Sequence, residues 1–158
     1  MKLLFFQALK AGVSFALLKN TAGFTGFLNK PVAYLPKFNS VLLSEPYENR
    51  IGIYNAKTFA FNSWLQHPNI TNGTKFQFPH GFLLLENGNF VIIEETQINI
   101  LNKNLAPCQP PIAGKFMGLS EGPKGEIITL QLPGVGEWKF GLKKLTEKNR
   151  KYVWCKDE

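Results

Sequence analysis

Short apolar runs alternate with clusters of glycine, proline and asparagine along the chain, the pattern of strands joined by turns. Residues 41–44 and 50–54 are predicted as two strands linked by Glu45-Pro46-Tyr47-Glu48-Asn49, and the aromatic-rich stretch 58–65 as a third. The same plan recurs over 81–85, 90–93 and 97–101. Between the first two of these runs lies Glu86-Asn87-Gly88-Asn89, where Asn-Gly predicts a type I′ hairpin because both residues tolerate positive φ. A third set is predicted at 116–120, 126–131, 138–142 and 150–155, with Pro123-Lys124-Gly125 as its first turn. Gly118 and Gly125 are spaced as Gly81 and Gly88 are. No long helical periodicity interrupts the series, so the chain reads as all-β.

Three pairs of positions recur at one offset of 48 residues: Phe6 with Tyr54, Leu28 with Phe76, and Pro31 with Pro79. Repeats of this length come from stacked supersecondary units, because one unit cannot bury its apolar face alone. A four-stranded unit of about 40 residues is the size of a propeller blade. At the same offset Leu3-Leu4-Phe5-Phe6 falls on Ile51-Gly52-Ile53-Tyr54, so half a unit is expected before three fuller ones.

With 158 residues, 44% hydrophobic and 13% aromatic, the chain has ample material for a core. The net charge of +7 favours acidic partners: RNA, an anionic membrane or an acidic protein face. Lys143, Lys144, Lys148, Arg150, Lys151 and Lys156 crowd the last part of the chain, and such a run is ordinarily a solvated face. Cys108 and Cys155 have no metal-site spacing; they read as small buried apolar groups, with one disulfide as the alternative. No stretch of about 20 apolar residues is present to span a membrane. The apolar start is interrupted by Gln7 and Lys10, which favours part of the fold over a signal peptide and a cytoplasmic location over secretion. Secretion would make the sequons Asn69-Ile70-Thr71 and Asn72-Gly73-Thr74 accessible acceptors.

The segment from Ser44 through Glu45, a polar turn, Asn49-Arg50 and Ile51-Gly52-Ile53-Tyr54 to Asn55 resembles the NHL repeat. In that repeat an acidic residue closes one strand, and an Asn-basic pair opens the next. Gly26-Phe27-Leu28-Asn29-Lys30-Pro31 and Phe76-Gln77-Phe78-Pro79-His80-Gly81 look like segments that open such repeats, and 118–127 is similar to a first hairpin. The closing acid is Glu45, then Glu94, but Gln131 in the third unit, and the Asn-basic pair survives only as Asn49-Arg50. The resemblance implies a partial β-propeller of NHL, six-bladed type, built from four-stranded antiparallel blades. Its expected divisions are 1–26 as a half blade, and 27–75, 76–114 and 115–158 as NHL-like blades, the last with a basic end. About three and a half blades do not close a ring that normally takes about six, so the chain is expected to pair with another propeller half or to be a fragment of a longer protein.

Family members bind protein partners or single-stranded RNA, often beside a RING finger, B-box and coiled coil in ubiquitin ligases. None of those modules is encoded here, and two cysteines cannot build a RING. Secreted lyases with metal sites share this class of propeller, but two histidines are a poor supply for such a site. The expected function is therefore a non-enzymatic interaction module for a protein partner or another propeller half, with RNA binding through a basic face as the alternative. No cofactor or metal is expected.

Predicted loops carry the candidate binding residues Lys37, Tyr47, Lys103, Lys115 and Lys124, and Arg50, where a turn passes into the next strand, is a sixth candidate as a phosphate contact. Lysines around an aromatic such as Tyr47 suit RNA, since phosphates need cations and unstacked bases a flat partner. Loops alternate between two faces, so these six need not converge. Arg50 is expected first to pair with Glu45 or Glu94, and His80, beside Pro79 and Gly81, to be a hydrogen-bonded turn residue. Glu94 and Glu95, adjacent on a strand, point to opposite faces and cannot work on one bond together. No phosphate loop or nucleophile elbow appears.

Overall fold

The computed structural model describes residues 30–134 and 141–155. The half blade at 1–26, most of the opening segment at 26–31, Trp138 and Lys156 lie outside the described residues. Twelve strands are described, in three four-stranded antiparallel sheets whose strands neighbour one another in chain order. Sheet 1 comprises β1 (Val32–Leu35), β2 (Ser40–Glu45), β3 (Arg50–Asn55) and β4 (Phe61–Trp64). Sheet 2 comprises β5 (Gly81–Leu84), β6 (Phe90–Ile93), β7 (Gln97–Leu101) and β8 (Ile112–Ala113). Sheet 3 comprises β9 (Phe116–Glu121), β10 (Ile127–Gln131), β11 (Gly141–Lys148) and β12 (Lys151–Trp154). First strands lie side by side, β1 against β5 and β5 against β9.

Sheet 2 is covered on both faces, which explains why β6 is a continuous apolar run rather than an alternating one. Phe90 and Ile92 pack with Leu35, Leu42 and Ile51 of sheet 1, together with Phe76 from the β4–β5 connection. Val91, Ile93, Ile98 and Ile100 pack with Phe116, Ile127, Leu145 and Tyr152 of sheet 3. Each fully buried side chain of this size contributes roughly 1.5–3 kcal/mol.

The first hairpin of every sheet uses one design. Asn39, Gly88 and Gly125 occupy the left-handed region at φ +48°, +88° and +76°, and each N–H bonds back to the carbonyl three residues earlier. This is a type I turn followed by a left-handed residue. The type I′ turn expected at Asn87-Gly88 is therefore corrected: positive φ falls on Gly88 and not on Asn87. Asn87 instead accepts the Asn89 N–H through Oδ1, a side-chain bond that organises the turn without it. A hairpin with two positive φ values does occur at Asn149-Arg150, between the paired residues Lys148 and Lys151.

That hairpin shifts the last sheet. Its third strand, described over Gly141–Lys148, runs past the expected end at 142, so Lys143, Lys144 and Lys148 lie along a strand and not in a connecting segment; 138–140 lie outside the described residues. The strand expected from 58 is β4, the fourth of sheet 1, and it begins only at Phe61 for a different reason. Asn55 Oδ1 accepts the N–H groups of Lys57 and Thr58, and its carbonyl accepts that of Phe59, holding 55–60 in a turn. The short strands β1 and β8 were not marked by alternation at all. Cys108 and Cys155 are both free thiols, and burial raises the pKa of Cys108.

Phe76→Ala removes a fully buried ring from between sheets 1 and 2, and chemical denaturation should show a loss of about 3–5 kcal/mol. Leu142→Ala, at a site 77% exposed, should change stability by less than about 0.5 kcal/mol.

Candidate functional site

Every connection within a sheet is a hairpin-like return, so loops gather at two ends of the stack. The six candidate residues divide evenly between them. Lys37, Lys103 and Lys124 sit in or beside the first and third returns of their sheets, at one end. Tyr47, Arg50 and Lys115 belong to the opposite end. Contacts between neighbouring sheets fix this assignment. Lys37 Nζ donates to Asn104 Oδ1 at the lysine end, and Ser44 Oγ donates to the Pro79 carbonyl at the other. The six do not form one site.

At the opposite end Arg50 is held on two sides. Its Nε donates to Glu45 Oε2 at 2.7 Å, and its guanidinium carbon lies 4.0 Å from the centroid of Trp64. The register explains both contacts: Glu45 faces Arg50 across β2 and β3, while Trp64 faces Gly52, the next residue on the same side of β3. A Cβ at Gly52 would come within 2.7 Å of the Tyr54 ring, so only glycine leaves room there. Exposed ion pairs and cation–π contacts are worth about 1 kcal/mol or less each. Arg50 therefore organises the sheet 1 surface. Tyr47 is exposed, with its ring edge-on to Phe78 at 5.1 Å.

Glu94 is the buried polar centre of this end. It is fully enclosed, and its carboxylate accepts four bonds: from the Gln77 N–H, Gln97 Nε2, Asn99 Nδ2 and His67 Nε2. All four partners are donors, so the carboxyl oxygens serve as acceptors throughout. His67 Nδ1 accepts the Asn69 N–H, so the ring proton sits on Nε2 and points to Glu94. Asn99 Oδ1 accepts from Asn69 Nδ2, which fixes the amide the other way round. The network ties the long β4–β5 connection to the end of β6. A His–carboxylate pair at 3.1 Å resembles a catalytic dyad, but side-chain exposures of 4% and 0% leave no room for a substrate. Glu95 is exposed and is spatially apart in role, its N–H donating to the Gln77 carbonyl. Sequence spacing did not reveal His67, Asn69, Gln97 and Asn99 as a group around Glu94, because His67 and Asn69, on the β4–β5 connection, meet Glu94 and Asn99 across separations of 27 and 30 residues.

The lysine end has a cleft between sheets 1 and 2 of about 270 Å3, bordered by Lys37 and Lys103. Lys124 lies on sheet 3, where its N–H donates to Glu126 Oε2. Glu126's own N–H and that of Lys124 hold the Glu126 carboxyl below its ordinary pKa.

A further surface was not marked by any loop residue. On sheet 3, Met117, Leu130 and Leu142 face one another across β9, β10 and β11. The neighbouring row on the same side holds Ser120, Ile128 and Lys144, and Val153 opposite Thr146 extends it. Leu142, Met117 and Val153 are 77%, 54% and 41% exposed. On sheet 2 the side that looks the same way along the stack holds Val91 and Ile93, both 0% exposed beneath sheet 3.

No model of a known protein family and no curated protein matches this chain. Among the described residues no group of three or more His, Cys, Asp or Glu side chains is gathered to hold a metal, and no helix is long and apolar enough to cross a membrane.

Glu94→Ala leaves four inward-pointing donors without their acceptor and should cost about 3–5 kcal/mol in chemical denaturation; a loss below about 1 kcal/mol would contradict this account. Burial lowers the pKa of His80 from its ordinary 6.5. Its neutral form is thus favoured in the fold, and its contribution is complete above pH 6.5. As pH falls through 6.5 the unfolded chain takes up the proton first, and stability declines. Thermal melts of His80→Gln should show a shallower decline over that window than the parent.

Proposed function

We propose that the chain is a non-enzymatic interaction module of NHL-repeat, β-propeller type, and that its principal ligand is another propeller half, which lays a further four-stranded sheet on sheet 3. The observation that carries this reading is the row in which exposed Met117 and Leu142 flank half-buried Leu130. The corresponding sides of sheets 1 and 2 are each sealed by the next sheet of the chain, through apolar contacts of the same kind. The propeller assignment is supported by the sheets' succession in chain order and by the side-by-side first strands β1, β5 and β9, the strands that line the axis of a propeller. An exposed apolar sheet face of this sort marks an association surface. Lys144 and Thr146 interrupt it with polar groups, which keeps it from being uniformly greasy.

Sedimentation velocity across a concentration series tests the reading. A discrete associated species is expected, and Leu142→Lys with Met117→Lys should return it to monomer. A monodisperse, stable monomer at every concentration would overturn it.

A second reading has its own observation: Lys37, Lys103 and Lys124 share one end of the stack. Single-stranded RNA would meet a basic surface there, and its affinity should fall steeply with salt. Lys→Glu changes at those positions should weaken binding of an oligouridylate and flatten that dependence; binding insensitive to salt would sink this reading.

A further inference from the structure

The cleft between sheets 1 and 2 opens at the lysine end, where the β1–β2 return meets the β7–β8 loop. Its floor is made by Leu35, Leu85 and Phe90, all buried, and its lips by Phe38 and Leu84, 42% and 37% exposed. A dry cavity of about 150 Å3 is enough to take a benzene ring. At about 270 Å3 this cleft takes one large side chain and part of the backbone that bears it, but not a folded surface.

Charge decides what kind of chain brings that side chain. Lys37 and Lys103 stand at the mouth, and neither is in a salt bridge among the described residues. Lys37 reaches over the mouth to the uncharged amide of Asn104, which leaves its charge uncompensated. Lys103 packs close to the Gly88 turn, where an added Cβ would sit 3.4 Å from the lysine Cβ. One acid, Glu86, lines the cleft, and its N–H is turned towards the Glu121 carboxylate on sheet 3. Two ammonium groups without a carboxylate partner among the described residues, Lys37 also lying 5.6 Å from the Phe38 ring centroid, stand above an apolar floor and fit an acidic segment that carries a bulky apolar residue.

We propose that this cleft is a peptide-binding site, taking one phenylalanine- or leucine-sized side chain from an acidic segment whose carboxylates are met by Lys37 and Lys103. The floor argues for peptide over RNA: it is aliphatic apart from Phe90, and Phe38 is the single exposed ring at the mouth, so a base finds no pair of flat faces to stack between. The apolar side chain supplies the affinity and the lysines the selection of partner and register. The site lies away from the open side of sheet 3 and does not depend on it.

Fluorescence anisotropy with the full chain tests this directly. The probe is a labelled five-residue peptide with phenylalanine at its centre and two acidic residues on each side; controls replace the phenylalanine by alanine or the acids by lysine. Saturable binding of the probe is expected, with at least a severalfold loss for either control. Lys103→Glu and Phe38→Ala, both at exposed sites, should each weaken the probe severalfold. Lys124→Glu, on the same end but outside the cleft, should change it by less than about twofold. Equal binding of the alanine control, equal effects of Lys103→Glu and Lys124→Glu, or no saturable binding would each overturn the proposal. So would an oligouridylate that displaces the probe and loses affinity in Lys103→Glu, since that assigns the cleft to RNA.

Discussion

A sheet with apolar side chains on both faces needs a neighbour on each, and β6 carries that demand in its most concentrated form. Phe90, Val91, Ile92 and Ile93 are all essentially fully buried, two towards sheet 1 and two towards sheet 3. Neither flanking sheet can be removed without exposing half of that strand. The requirement propagates along the stack, because the sheets that cover β6 have two faces of their own. Sheet 3 meets it on one side only among the described residues, and the row around Leu142 is the result. The proposed association is the same packing rule applied once more, to a sheet that the described residues do not supply.

The buried polar network does a different job from the apolar faces. Hydrophobic packing between sheets is tolerant of small slips, whereas the Glu94 carboxylate accepts bonds from four specified donors on β7 and the β4–β5 connection. A slip by one residue would leave a charge and several amides buried without partners, a cost of several kcal/mol. Glu94 thereby fixes how the long connection enters sheet 2. It also lets Phe76 reach the core between sheets 1 and 2 from that connection. Arg50, pinned by Glu45 and Trp64, performs a lighter version of the task at the surface.

Much of the fold was legible because the turn chemistry is local. Gly88 and Gly125 marked hairpins correctly, and the runs 90–93 and 97–101 coincide with β6 and β7. Asn87-Gly88 misled as to the type of turn, since the Asn87 side chain organises it without a positive φ. The third strand of sheet 3 runs past its expected end at 142 because the hairpin that closes it is at Asn149-Arg150, a pair that contains no glycine. Sites were less legible than strands. A loop position identifies exposure, not which end of a stack it reaches, and so the sequence left open whether Lys37 and Lys115 converge; they lie at opposite ends. The Leu142 surface was invisible for the converse reason: an apolar residue on a strand looks the same whether or not another sheet covers it.

Covalent footprinting across a concentration series, read residue by residue by mass spectrometry, tests the central claim most directly. If the open side of sheet 3 is an association surface, Met117 and Leu142 lose labelling as concentration rises while Tyr47, exposed at the end opposite the lysines, keeps it. Constant labelling of Met117 and Leu142 at concentrations where the chain associates would place the contact elsewhere and contradict the account.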